Sequence, residues 1–302
     1  MRASRSGPTK RLPVAGSSTT PPGRIWRALL PEALRERLAA ASEDDPLEVV
    51  VSAHRELSLV PWAALRIDDG TRLVRRALLT HTPVLTCLVD DPLAEVTGPA
   101  LVRLVSQAEE TVTRDQVGVW TEPEQQAWDL PDDSGRIALS RCTLERLPPL
   151  ATDHPQLTVA LAEGGWGLVH IATHGHGEGL DQHLWIPEET GTGGLLTAGQ
   201  ALGMQWPAST LMASCDVGKV VNPEHSEPLG FVMAVLTGNG RCVVAAVDAL
   251  PNGPAGTISA EIVRLLRGGN LRLDQALRKA QLVAEEDDES VKSWALFNAY
   301  VR

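Results

Sequence analysis

Two stretches decide the fold: LVHIATHGHG at 168–177 and TLMASCDVG at 210–218. Each opens as a short run of apolar, partly β-branched residues and ends in chemistry followed by glycine. A run of this kind, without polar alternation, reads as a strand buried on both faces, as in a mostly parallel sheet covered by helices. CVVAAV at 242–247 repeats the pattern. Helical periodicity separates these runs, at 196–204, 229–236, 258–266 and 273–284. Strands alternating with helices predict an α/β fold.

The first half is less regular. The spacing predicts a helix over 25–41 broken at Pro31, a strand over 47–53, and a hairpin at RIDDGTRL (66–73) around an Asp-Gly turn. It further predicts a strand over 83–89, a helix over 100–111, and a loop at 129–135. Trp294–Val301 is a last apolar segment, and the acidic run 285–289 reads as a solvated loop.

Composition narrows the function classes. The 302 residues are 43% hydrophobic and 22% charged, an ordinary globular balance, with a net charge of −11. Of 27 lysines and arginines, five lie in 1–24, a segment with no acidic residue, so the remainder is strongly acidic. Such a body repels phosphate, which argues against nucleic-acid binding. The tail 1–24 reads as a disordered basic segment. No apolar run reaches the roughly 18 residues of a membrane helix, and no secretory signal follows the start, so a cytoplasmic location is expected. Cys87, Cys142, Cys215 and Cys242 are scattered without a CxxC pair, which predicts free thiols.

Ligands in open α/β sheets bind beyond the carboxyl ends of the strands. If 168–173 and 210–214 are neighbours, His174 and Cys215 emerge at one rim. A cysteine nucleophile needs a base or a positive group beside it, which histidine supplies. The N–H groups of Gly175 and Cys215 are candidates for holding an oxyanion. His170, inside the apolar run, reads as a buried core or supporting residue, and His54, His81, His154 and His225 read as surface or loop residues. His170, His174, His176 and His183, with Glu178 and Asp181, raise zinc as a competing reading, but no helical HExxH spacing is present, so no metal is expected.

These pieces together resemble the CHAT family of caspase-like cysteine peptidases, whose wider group includes caspases, separases and gingipains. The resemblance rests on six ordered segments: ELSLVPWAALRIDDGTRLV (56–74), VHIATHGHGEG (169–179), LMASCDVGK (211–219), EPLGFVMAVLTGNGRCVVAAV (227–247), ALRKAQL (276–282) and SWALFNAYV (293–301). It implies a three-layer α/β/α sandwich with a mostly parallel central sheet. It also implies a His174/Cys215 dyad and endopeptidase activity on a protein substrate without metal or organic cofactor. The amino-terminal part would span 25–150 and the catalytic part 151–302. Family members commonly cut one dedicated protein in regulatory or defence pathways, which implies a regulating partner or signal, with the loop 218–228 as the place of activation. The sequence departs from the family at VVAAVDALPNG (243–253), where Asp248 stands at a usual tryptophan position. Asp248 and Asp216 are candidates for selecting a basic residue before the cut. An inactive caspase-like binding scaffold is the alternative.

Overall fold

A computed structural model describes residues 23–67, 70–88, 92–104, 122–129, 140–143, 146–151, 157–186, 195–220, 228–250, 254–286 and 294–302. The strands are β1 (Leu47–Val51), β2 (Ala77–His81), β3 (Pro99–Leu104), β4 (Ser140–Thr143), β5 (Arg146–Ala151), β6 (Leu168–Ala172), β7 (Gly175–His176), β8 (His183–Trp185), β9 (Leu195–Thr197), β10 (Ser209–Ala213), β11 (Cys242–Ala246) and β12 (Phe297–Val301). The helices are α1 (Gly23–Leu29), α2 (Glu32–Ala40), α3 (122–128), α4 (Leu157–Glu163), α5 (Ala198–Ala201), α6 (Phe231–Thr237), α7 (Pro254–Gly268) and α8 (Leu273–Glu286). Among the described residues one sheet holds nine strands in the order β1-β2-β12-β11-β10-β6-β3-β4-β5, and a small sheet holds β7-β8-β9. Five of the eight pairings in the large sheet are parallel, including the run β11-β10-β6-β3.

Alternation along these strands builds the sandwich. Leu168, Ala172, Leu211, Val244 and Ala246 point into one core with α7 and α8, while Val169, Ile171, Met212, Val243 and Ala245 point into the other with α4, α5 and α6. Every residue of β6 and β11 is buried, which is why neither strand shows polar alternation. A third, smaller core packs α1 and α2 against the β1–β2 edge. The sheet joins strands from both halves of the chain, and the mixed α/β sandwich expected from the sequence is the architecture observed.

Two of the resembling segments have structural work. The buried Arg278 guanidinium donates to the carbonyls of Val74, Ala77, Glu43 and Arg75, which ties α8 to the approach to β2. Gln281 Nε2 donates to Trp294 O and Phe297 O, which fixes the entry into β12.

Several local expectations fail. Residues 85–87 form a 3₁₀ turn rather than a strand. Residues 100–104 lie in β3, not in a helix; the rest of that expected helix lies outside the described residues. Their side chains are buried on both faces, and an apolar run of that length fits either element. Strand β2 forms at Ala77–His81, where the spacing predicts no element. His81 is buried at 4% exposure against Tyr300 rather than on the surface. Glu285, expected in a solvated loop, closes α8 and pairs with Arg72 and Arg75; 287–289 lie outside the described residues. The basic tail lies outside them too, except that Gly23 and Arg24 open α1. The hairpin at 66–73 is present as the Arg66–Arg72 bridge.

Three buried groups tie the stability of the fold to pH. Burial pushes His81 and His170 down to about 3, and pushes Glu124 up to about 7 although it accepts a hydrogen bond from Ser259 Oγ at 2.6 Å. Each histidine is protonated near pH 6.5 when unfolded, so its contribution to stability is present above that pH and is lost as pH falls toward 3. Glu124 has the opposite sign: its cost is relieved as pH falls from 7 toward 4.5. Between pH 6.5 and 4.5 the unfolded chain therefore holds one net extra proton, and these groups remove about 1.4 kcal/mol of stability per unit of acidification. His170→Asn is expected to flatten that slope in urea unfolding at pH 6.5 and 5.0. An unchanged slope would show that His170 is not buried as a neutral base.

Candidate active site

Strands β6 and β10 are adjacent and parallel, with Ala172 opposite Ala213. His174 and Cys215 each lie two residues beyond that last registered pair, at the same rim. The two turns touch: a Cβ on Gly175 would stand 2.2 Å from the Cys215 carbonyl oxygen and 3.1 Å from Val217 Cγ1. Only glycine lets the histidine turn approach the cysteine turn this closely. Thr173 N–H donates to Ser214 Oγ at 3.3 Å one step earlier, so the two chains remain paired beyond the sheet. The His174 main chain is fixed from its other side, where Trp185 N–H donates to His174 O at 2.9 Å, and Thr173 Oγ1 donates to Trp185 O.

Cys215 is a free, half-buried thiol. Burial pushes its pKa up first; the Leu250 N–H, donating to Sγ at 3.3 Å, pulls it down; and the Asp216 and Asp248 carboxylates push it up. Both acids that the sequence singles out are thus close enough to act on the sulfur. Asp216 takes φ 64°, a left-handed conformation that aspartate tolerates better than most residues, so the chain turns sharply after the thiol. Its carboxylate is 2.7 Å from Lys219 Nζ, and Asp248 Oδ1 is 4.0 Å from the same ammonium. Asp248 also caps its own turn, accepting from Ala249 N–H. The turn and the carboxylate facing Lys219 are therefore properties of one residue.

One residue that sequence reasoning missed organises the rim. Gln182 is fully buried, in the loop between β7 and β8. Its Nε2 donates to Asp216 O at 2.6 Å and Lys219 O at 3.4 Å, and its Oε1 accepts from Phe231 N–H at 2.7 Å, at the start of α6. Its own carbonyl accepts from Ala198 N–H at 2.7 Å. The histidine loop, the cysteine loop and two helices therefore meet on one residue, the cysteine loop and α6 at its side-chain amide and α5 at its main-chain carbonyl. Tyr300 OH adds a further tie, donating to Gly218 O at 2.7 Å. No local pattern around Gln182 signals this.

His170, four residues before His174, is sealed in the core. Trp128 Nε1 donates to its Nδ1 at 2.8 Å, so the ring is neutral with its proton on Nε2. Of the two positions expected for it, core or supporting, it takes the buried, hydrogen-bonded core position. Among the described residues no group of three or more His, Cys, Asp or Glu side chains is arranged to hold a metal ion. No described helix is long and apolar enough to cross a membrane. His54 is exposed; His154 and His225 lie outside the described residues.

Comparison with known proteins bears on the fold that carries these turns. No curated protein sequence matches the chain. Solved structures do. Separase of Saccharomyces cerevisiae, in its complex with securin, superposes with a TM-score of 0.55 at 14% identity over 85% of this chain, and a second structure of that complex gives 0.53. The Arg-specific cysteine proteinase gingipain R superposes with a TM-score of 0.52 at 11% identity over 91%. The chain spans only 16% of the separase chain and 68% of the gingipain chain. At these identities the likeness is one of fold, the caspase-like sandwich. The CHAT domain model matches residues 20–302, and the chain belongs to the CHAT-domain family, whose fold is that of the caspase-like cysteine peptidases.

Proposed function

We propose that this protein is a cysteine endopeptidase in which His174 and Cys215 act as the catalytic dyad. The observation that carries the reading is the β6–β10 register together with the seating of Gly175 on the Cys215 carbonyl. Cys215 lies in a turn whose burial and two carboxylates oppose ionisation. A protonated His174 is the counter-charge that makes thiolate accessible there. The thiolate attacks the scissile carbonyl. The resulting oxyanion is held by the N–H groups of Gly175 and Cys215, and His174 gives its proton to the departing amine. Water then hydrolyses the thioester, which frees the sulfur and the acid product. No metal or organic cofactor enters these steps.

The same reading assigns Asp216 and Asp248 to recognition of a basic residue before the cut. Their shared neighbour Lys219 already supplies a cation at 2.7 and 4.0 Å, so a substrate lysine or arginine would compete with it. The substrate is a protein, and a partner or signal acting on the loop 218–228 would order the site; 221–227 lie outside the described residues. We place this activity in the cytoplasm, in regulatory or defence proteolysis. Cleavage of a peptide library tests the assignment. Arginine or lysine is expected before the cut, and Asp248→Asn should lower kcat/KM for basic peptides at least about tenfold while sparing neutral ones. A profile indifferent to Asp248 and Asp216 would remove both from recognition.

A second reading is a scaffold without turnover. It is favoured by the upward push on the Cys215 thiol and by Asp248 in the altered segment 243–253. The pH profile of Cys215 alkylation, with and without the His174 imidazole, separates the two.

A further inference from the structure

The small sheet β7-β8-β9 carries a feature the proposed peptidase does not use. His176 and His183 stand directly opposite each other in the antiparallel β7–β8 pair. Side chains opposed in this way share a face of the sheet with their Cβ atoms close together. The ring centres are 5.9 Å apart and the planes meet at 78°, edge toward face. His176 is exposed and His183 half-buried, so both are reachable from solvent.

We propose that His176 and His183 form a two-imidazole site for a divalent transition-metal ion, zinc in the first instance, on the hairpin that follows His174. Two features point this way. The first is distance. With a Zn–N bond of about 2.0–2.1 Å and roughly 1.2 Å from nitrogen to ring centre, two imidazoles on one ion have centres roughly 5–6 Å apart. The observed separation already lies in that span. The second is the tautomer. His183 Nδ1 faces the carbonyl oxygen of Asp181 at 3.1 Å. A carbonyl only accepts, so Nδ1 is the donor in this contact and Nε2 is the nitrogen left to ligate. A backbone carbonyl holding the remote ring N–H is the usual support of a metal-ligating histidine, since it fixes the ring and raises the basicity of the ligating nitrogen.

Two protein ligands leave the rest of the coordination shell to water. The exposed carboxylates Glu178 and Asp181, in the loop joining the two strands, favour a cation there. Imidazole pairs of this kind accept zinc, nickel and copper, with copper bound most tightly. A bound ion would staple β7 to β8 beside the Trp185–His174 main-chain hydrogen bond and so brace the segment that carries His174.

The test uses the full chain freed of any affinity tag, with zinc chloride titrated against a chromophoric chelator. One equivalent of zinc is expected to bind. His176→Asn and His183→Asn should each weaken it at least about tenfold, while Cys215→Ala and the distant His54→Asn leave it unchanged. With one equivalent of copper, the electron paramagnetic resonance spectrum should carry the splitting of two imidazole nitrogens, reduced to one in either histidine variant. Circular dichroism melts in chelator confirm that the surface replacements keep the fold. The proposal is overturned if millimolar zinc does not bind, if both histidine variants bind as the parent does, or if Cys215→Ala alone abolishes binding. The last result would put the ion on the thiol and leaves the dyad to its own test.

Discussion

Placing a methyl group on Gly175 is expected to disable the site more completely than any other change of one carbon. In Gly175→Ala the new Cβ would lie 2.2 Å from the Cys215 carbonyl oxygen and 3.3 Å from its carbonyl carbon. Both are backbone atoms that cannot rotate away. The two turns must part by about an ångström to restore ordinary contact, a forced separation of the kind that costs about 1–3 kcal/mol. The chemical cost is larger, because a shift of that size between reacting groups is worth on the order of 100-fold in rate. Gly199→Ala is the control, since its Cβ meets nothing nearer than 3.8 Å and lies in α5. That variant should be neutral or slightly stabilising. Alkylation of Cys215 by iodoacetamide, compared at one pH, reads the outcome without any substrate. If Gly175→Ala alkylates at the parent rate, the two turns are not in contact and the proposed dyad loses its geometric basis.

Gln182→Leu should give the second large effect. The leucine fills a similar volume but strands the Asp216 and Lys219 carbonyls and the Phe231 N–H, all of which meet the Gln182 amide. Each buried group left without its partner costs about 1–3 kcal/mol. A loss of roughly 3–4 kcal/mol is expected in urea unfolding, near the upper end for one substitution. Stability alone would not distinguish positioning from packing. Gln182→Glu does so: it can still accept from Phe231 N–H, but it turns an oxygen toward the carbonyls of Asp216 and Lys219. Near neutral pH a buried carboxylate facing two carbonyls should cost at least as much stability as leucine, and it should disturb Cys215 alkylation more than leucine does, because its charge lies against the loop that carries the thiol. If Cys215 reactivity is unchanged in both variants, Gln182 supports the fold without setting the loop.

The parts of this molecule that the sequence makes legible are those fixed by short-range pattern. β6, β10 and β11 are apolar on both faces, and β6 and β10 run into turns that hold a reactive residue and glycine, so these strands and the chemistry at the ends of β6 and β10 can be read directly. β3 cannot be read in this way. Residues 100–104 bury both faces like β6, but no turn residue marks their far end, and the spacing fits a helix equally well. His81 looks like a polar loop residue until Tyr300 and the sheet close over it. The same limit governs the rim. His174, Gly175 and Cys215 are visible because their types and glycine neighbours imply chemistry. Gln182 and the Leu250 N–H reach the site only through folding, from 34 and 35 residues away along the chain. Lys219 stands in a recognised segment, yet its partnership with both Asp216 and Asp248 depends on where β11 ends.

The most direct test of the central claim is the pH profile of Cys215 alkylation by iodoacetamide, followed by mass spectrometry in the parent and in His174→Ala. Cys242, buried with its thiol pushed well above the ordinary value, is the internal reference. Cys215 is expected to react ahead of Cys242, with an apparent pKa below the free-thiol value of about 8.5, and His174→Ala is expected to move it above that value. A profile for Cys215 that stays above the free-thiol value and is indifferent to His174 would contradict the dyad, and would leave the chain a caspase-like scaffold.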